Sequence, residues 1–320
     1  MGNNKKEYQL RKNYKYIFGP VPSRRLGHSL GVDVVPYKVC TLDCIYCELG
    51  ATTNKTIEKK EYNPLNDMVS ELKEKLKENI KIDYVTIAGS GEPTLFLKIG
   101  ELISEIKKIT QIPVAVLTNG TMLWDENVRS ALKNADLVIP SIDAGNKEIF
   151  DKVNKPSEKL DFSKVIKGIQ DFSKEFVGKI WVEILLVKGF SDSEKNINDI
   201  LEILKSIRYD KIQLGTVDRP PTEQTAYPLT MKELEIIKQK FPANTEIIST
   251  NSNIIADDNF FLANEIDILS LLKRRPCSIA DISKGLQIHK NEVIKYIDKL
   301  YRDKKIKKYY STEKEFYCII

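Results

Sequence analysis

The sequence predicts an α/β fold, a partial (β/α)6 barrel with parallel strands, followed by a C-terminal winged helix-turn-helix domain. Three observations predict it. Short apolar runs alternate with helix-period segments from Asp33 to Lys240, the pattern of a parallel sheet covered by helices. The alternation supplies six strand units, short of the eight that close a full barrel. Past the polar stretch at 251–261 the alternation stops, and three helical segments are followed by two short strands.

The elements follow in order. Residues 1–17 are polar and expected to fray, and 18–28 are rich in Gly and Pro and read as a loop. Residues 31–36 read as a short strand. Apolar, β-branched runs at 83–88, 113–117, 136–142, 179–187 and 211–214 supply the other five. Apolar residues recur at helix spacing over 63–79, 98–110, 124–133, 162–176, 194–207 and 231–240. The barrel is therefore expected over 18–250, a linker over 251–261 and the winged module over 262–320. In that module helices are expected over 263–274, up to Gly285 and over 289–303, with a hairpin of 305–310 and 315–320.

Charge separates the two regions. Residues 262–320 hold 13 Lys/Arg and 8 Asp/Glu, a net of +5, while the rest balances at 37 of each. Such asymmetry points to an anionic partner for the small module. No run approaches the ~18 apolar residues of a membrane span, and the first residues lack the apolar core of a signal peptide. The expected compartment is cytoplasmic, where clustered cysteines read as metal ligands.

Three of the five cysteines are Cys40, Cys44 and Cys47, spaced Cys-x3-Cys-x2-Cys. Thiolates are the ligands of iron–sulfur clusters. Three of them hold three irons of a 4Fe-4S cluster and leave the fourth open, as a catalytic site requires. The alternative is a zinc ion with a distant fourth ligand, drawn from Cys277, Cys318, His28 and His289. Polar tips end the strands that follow: Ser90-Gly91-Glu92-Pro93, Thr118-Asn119 and Ser141-Ile142-Asp143. In α/β folds ligand loops lie at these carboxyl ends. Glu183 sits in an apolar strand, where a carboxylate either pairs with a structural Arg or Lys or faces a ligand. Arg24, Arg25 and Arg219 lie at loop positions suited to binding substrate carboxylate or phosphate.

The cysteine spacing, with aromatic Tyr46 before the last cysteine, resembles the radical S-adenosylmethionine (SAM) superfamily. The Gly-Glu-Pro segment resembles that of RNA-modifying relatives, the tRNA wyosine-synthesis enzymes among them. The resemblance implies a 4Fe-4S cluster on Cys40, Cys44 and Cys47 whose fourth iron is bound by SAM. It implies that Ser90, Gly91 and Glu92 receive the SAM amino end. Thr118, Asn119, Ser141, Asp143 and Glu183 would line the rest of the pocket, with Tyr46 near the adenine. A low-potential donor of the flavodoxin or ferredoxin type would reduce the cluster, and a 5′-deoxyadenosyl radical would attack the substrate. The wyosine enzymes carry further cysteines upstream, whereas no cysteine precedes Cys40 here, so the substrate stays open.

Lys290, Asn291, Lys295, Lys299, Arg302, Lys305 and Lys308, interleaved with tyrosines, form a candidate nucleic-acid surface. The favoured function is a radical SAM enzyme modifying a macromolecule, with RNA first. The alternatives are a peptide- or protein-modifying radical SAM enzyme and a non-catalytic iron–sulfur redox-sensing transcription regulator.

Overall fold

A computed structural model of the chain describes residues 14–23, 25–78, 80–248, 265–286, 288, 290–311 and 314–320. The expected linker and most of the frayed N-terminal segment lie outside these residues. Residues 14–16, expected to fray, are packed. Tyr16 is buried, and the amides of Lys15 and Tyr16 donate to the Glu71 carboxylate at 3.0 and 2.8 Å.

The Gly/Pro-rich stretch read as a loop is instead a strand. β1 (Ile17–Ser23) pairs antiparallel with β2 (Gly27–Asp33), which replaces the strand expected at 31–36. The prolines misled because proline is tolerated on an edge strand, and β1 is one. The cysteine loop contains a two-residue pairing of β3 (Val39–Cys40) with β4 (Asn54–Lys55). The chain then continues through α1 (Leu65–Leu76), β5 (Tyr84–Ala88), α2 (Ile99–Ile109), β6 (Val114–Thr118), α3 (Glu126–Ala131) and β7 (Leu137–Pro140). A single turn, α4 (Lys147–Ile149), runs into a π-helical turn at Phe150–Asn154. After it come α5 (Phe162–Glu175), β8 (Lys179–Leu186), α6 (Glu194–Lys205), β9 (Lys211–Thr216), α7 (Met231–Lys238) and β10 (Thr245–Ile247).

These strands form one open eight-stranded sheet in the order β1-β2-β5-β6-β7-β8-β9-β10, parallel throughout except for β1. This is an α/β fold with a mostly parallel sheet, consistent with a partial barrel. Five of the six expected parallel strands are present where expected, β2 lies N-terminal of the place of the sixth, and β10 adds a seventh parallel one.

The two faces of the sheet differ. Along β8, Ile180, Val182, Ile184 and Leu186 are buried beneath the helices, while Trp181, Glu183 and Leu185 are half-buried on the other face. The helix-side core joins Val85, Val116, Val138 and Leu214 to Met68, Leu102, Ile169 and Ile200. A smaller cluster of Leu26, Ala115, Leu137 and Ile139 fills the opposite face. Glu183 belongs to that inner face.

The C-terminal residues form α8 (Glu265–Leu272), α9 (Ile279–Leu286), α10 (Lys290–Arg302) and the antiparallel hairpin β11 (Ile306–Ser311) with β12 (Lys314–Ile319). Their own core contains Ile268, Cys277, Ile282, Val293, Ile297 and Tyr317, and Val21 of β1 packs against it. Among the described residues no helix is long and apolar enough to cross a membrane.

Candidate cofactor site

The cysteine loop lies across the carboxyl ends of the parallel strands and is tied to them on three sides. Toward β5, the Glu92 amide donates to the Val39 carbonyl at 3.0 Å and the Lys38 amide to that of Ser90 at 2.5 Å. Gly91 sits at this seam, where a Cβ would fall 1.9 Å from the Val39 oxygen. Its bare backbone therefore lets the cysteine loop approach, rather than only a ligand. Toward β6, Asn119 Nδ2 donates to Thr41 Oγ1 at 2.8 Å, and the Thr41 and Thr121 hydroxyls bond at 2.7 Å. Toward the π turn, the amides of Asp43 and Ile45 donate to the carbonyls of Asn154 and Val153, both at 3.0 Å. π turns recur at functional sites.

Each of the three sulfurs faces one side-chain N–H donor, and each of these donors comes from a different segment. Asn119 Nδ2 lies 3.6 Å from Cys40 Sγ, Asn154 Nδ2 3.5 Å from Cys44 Sγ and Lys38 Nζ 3.1 Å from Cys47 Sγ. Burial pushes the Cys40 thiol up to about 12 and the Cys44 thiol well above its ordinary value. Thiols so placed ionise when a bound metal takes up their charge. Among the described residues, no three His, Cys, Asp or Glu side chains converge on a point that could hold one ion. Three thiols, each met by a side-chain N–H donor, are the ligands an iron–sulfur cluster takes. The donor set fits a cluster.

The expected pocket residues gather around this loop, but several have other duties. Glu92 is buried, and four donors occupy its carboxylate. Thr94 N and Thr118 Oγ1 reach Oε1 at 3.0 and 2.6 Å, Asn119 N reaches Oε2 at 2.8 Å, and the Thr94 hydroxyl also donates to Oε1. Burial raises its pKa despite them. Glu92 thus locks the ends of β5 and β6 together. Ser90 donates from both N and Oγ to Asp33, at 3.0 and 2.7 Å. Ser141 continues β7, its amide donating to the Thr118 carbonyl at 3.1 Å. Asp143 is buried and accepts from the Tyr46 hydroxyl, from Asn154 Nδ2 at 3.0 Å and from Leu185 N at 2.9 Å. Burial raises its pKa as well as that of Tyr46. Asn119, Ser141, Asp143 and Asn154 also line a cavity of about 20 Å³, room for one water.

Three expected contacts have partners within the protein. Glu183 takes the structural-arginine alternative and pairs with Arg25, one of the arginines expected to meet substrate. Arg219, expected at a substrate rim, is buried, with Glu48 at 2.7 Å and Asp281 of α9 at 3.8 Å. Arg24 lies outside the described residues.

On the candidate nucleic-acid surface, Lys295 pairs with Glu292 at 2.6 Å and Lys308 with Glu315 at 2.8 Å. Lys299 and Lys305 share Glu265. Arg302 Nε donates to the Asp298 carbonyl at 3.3 Å, and Lys290 and Asn291 are exposed on α10. Sequence reasoning missed Lys38, Asp33 and Asn154. A burial-compatible Asp at a strand end was the one available signal, and nothing local marked the other two.

A family model described as the radical SAM superfamily matches residues 34–201, from just after β2 into α6. The chain belongs to the radical SAM superfamily. A radical SAM enzyme carries a 4Fe-4S cluster and SAM as its cofactors, and membership sets aside the reading of a non-catalytic regulator. A protein of Brachyspira hyodysenteriae named GTPase Obg is 39% identical over 309 residues, 96% of this chain but 45% of that relative. The chain thus spans less than half the length of that relative. A UPF0026 protein of Methanocaldococcus jannaschii is 32% identical, covering 94% of both chains, which makes this radical SAM protein a UPF0026 member too. In fold, a radical SAM methyltransferase from Sphaerobacter thermophilus superposes with a TM-score of 0.51 at 14% identity. The match covers 68% of this chain and 66% of that one.

Proposed function

We propose that this radical SAM enzyme modifies RNA, which its C-terminal module holds as a winged helix-turn-helix. A bound cluster and SAM would supply reductive radical chemistry at the substrate. Cys40, Cys44 and Cys47 would each hold one iron. The Ser90-Gly91-Glu92 turn, Thr118, Asn119, Ser141 and Asp143 would hold SAM, with Tyr46 beside Asp143. Radical SAM chemistry needs a reductant, here of the flavodoxin or ferredoxin type.

One observation carries the RNA reading: the terminal hairpin is an aromatic and basic surface beside the cysteine loop. Tyr309 and Tyr310 are 39% and 73% exposed, with the Lys307 and Lys308 ammonium groups 5.4 and 5.7 Å from their ring centres. Burial raises the pKa of Tyr37, three residues before Cys40 and 52% exposed, and Cys318 and Tyr309 of the hairpin, when ionised, are near enough to add to the rise. Exposed rings stack bases and neighbouring lysines meet phosphates. The lysines of the Lys–Glu pairs on α10 and the hairpin are exposed, where ion pairs are weak, so they yield to phosphate.

The test compares RNA nucleosides and peptides by mass spectrometry from cells with and without the gene, alongside RNA titrations at two salt concentrations. The expected result is one nucleoside lost with the gene. Binding should fall with salt at a log–log slope of roughly −0.7 per phosphate and drop in Lys307→Glu/Lys308→Glu. Unchanged nucleosides together with a changed peptide mass would replace RNA by a peptide substrate.

A further inference from the structure

We infer that Lys38 is a positioning residue of the cluster site, whose buried ammonium against Cys47 Sγ balances the charge of the thiolate-bound cluster and sets how readily it accepts an electron. The inference deepens the proposed function and rests on Cys40, Cys44 and Cys47 being the cluster ligands.

Two unfavourable features coincide at this residue. Lys38 is 2% exposed, although lysines are almost never fully buried unless paired. Its φ is +57°, in the left-handed region that a residue with a Cβ avoids. The surrounding backbone holds it there. Its amide donates to Ser90 O at 2.5 Å, and its carbonyl accepts from Asn54 N at 3.1 Å. A long cationic side chain ordinarily extends its head into water. This one ends 3.1 Å from Cys47 Sγ.

A buried cation needs an anion. Among the described residues no carboxylate lies within ion-pair distance of Lys38 Nζ. The carboxylate of neighbouring Glu48 is taken by Arg219 at 2.7 Å and Arg275 at 3.7 Å. A thiol is a weak acceptor that leaves the ammonium uncompensated, whereas a thiolate carries the missing charge. The other two sulfurs face neutral amides, Asn119 at 3.6 Å and Asn154 at 3.5 Å. Lys38 is thus the charged member of a three-donor set. Net charge and hydrogen bonds to sulfur set the potential of a cluster. A fixed positive charge favours the form holding the extra electron. The affected step is a one-electron reduction, with no proton transferred and no bond broken in the protein.

The test uses the full chain, reconstituted anaerobically with iron and sulfide and reduced by dithionite at a poised potential. Iron content, the reduced-to-oxidised ratio by electron paramagnetic resonance and the melting temperature of the metal-free form are read for wild type, Lys38→Met and Lys38→Arg. At the wild-type midpoint potential, Lys38→Met should keep its iron and show a ratio lower by about tenfold or more, the scale of one poorly screened charge. Lys38→Arg should restore the ratio. Iron lost in the Met variant but kept in the Arg variant would also support the inference, since charge is then needed to hold the thiolates. A wild-type ratio in Lys38→Met would overturn it. So would iron loss in both variants, because side-chain shape rather than charge would then be at work; an unchanged metal-free melting temperature would place that loss at the cluster site. Wild-type protein that takes up no iron would instead refute the cluster assignment beneath it.

Discussion

Replacing Gly91 by alanine should damage cluster binding and stability together, because the clash falls on the backbone of the cysteine loop. The added Cβ would sit 1.9 Å from the Val39 carbonyl oxygen, 2.8 Å from its carbon and 3.1 Å from Val35 Cγ2. Real Cβ contacts stay beyond 3.0 Å, so the seam must open by about 1 Å. It cannot open without stretching the hydrogen bonds from Glu92 N to Val39 O and from Lys38 N to Ser90 O. Overpacking costs about 1–3 kcal/mol, and each buried hydrogen bond loosened adds about 1 kcal/mol. A loss of roughly 2–5 kcal/mol follows, or about 5–15 °C in melting temperature for a domain of this size. Val39 adjoins Cys40, so iron content after reconstitution should fall with it. The assay is metal-free thermal unfolding paired with iron analysis. A variant that melts like wild type and holds the same iron would refute the seam as the reason for glycine.

Two further outcomes follow from ion pairs. Arg219→Met removes a buried guanidinium from between Glu48 and Asp281 and should cost roughly 3–5 kcal/mol in urea unfolding of the full chain; a loss below about 1 kcal/mol, the scale of an exposed pair, would show that the network does not hold the module. Glu233 is held down to about 2 by the Lys188 ammonium and by the Thr230 amide and hydroxyl of its capping box. A depressed carboxylate stabilises above its ordinary pKa and loses that contribution as pH falls toward the folded value. The difference in urea midpoint between wild type and Glu233→Gln should therefore be largest near pH 6 and shrink by pH 3, and a gap that does not change would contradict the pairing.

The sheet and its ligand-bearing ends were legible because the signals are local. Apolar runs such as Tyr84–Ala88 and Val114–Thr118 end in polar residues, and those ends converge on the cysteine loop. β1 was not legible because Pro20 and Pro22 punctuate it, and only its edge position excuses them. Partners were legible least. Glu183 reads as needing either a structural cation or a ligand, and the cation is Arg25, 158 residues away in sequence. No spacing rule reaches that far. Gly91 illustrates a second limit: the need for glycine was legible, while the atom requiring it, a carbonyl of the cysteine loop, depended on how two loops stack.

The C-terminal module is joined to the cofactor site at both of its walls. Arg274 reaches Asp33 at 2.8 Å, and the same carboxylate holds Ser90 of the Gly-Glu-Pro turn. Arg275 and Arg219 converge on Glu48, the residue after Cys47, and Arg219 extends to Asp281 on α9. Arg274 also lies 4.0 Å from the centre of the Phe18 ring, and Val21 enters the module's core. Part of the positive charge that suggested an anionic partner is therefore committed inward, through two of the module's thirteen basic residues. A buried charge is costly to leave unpaired, so displacing the module would take Arg274 from Asp33 beside the Gly-Glu-Pro turn, and Arg275 from Glu48 beside the cysteine loop, where Arg219 stays. A substrate that shifts the hairpin would act on both walls through these carboxylates. The C-terminal module and the geometry around the cysteines are in this way mechanically connected within one chain.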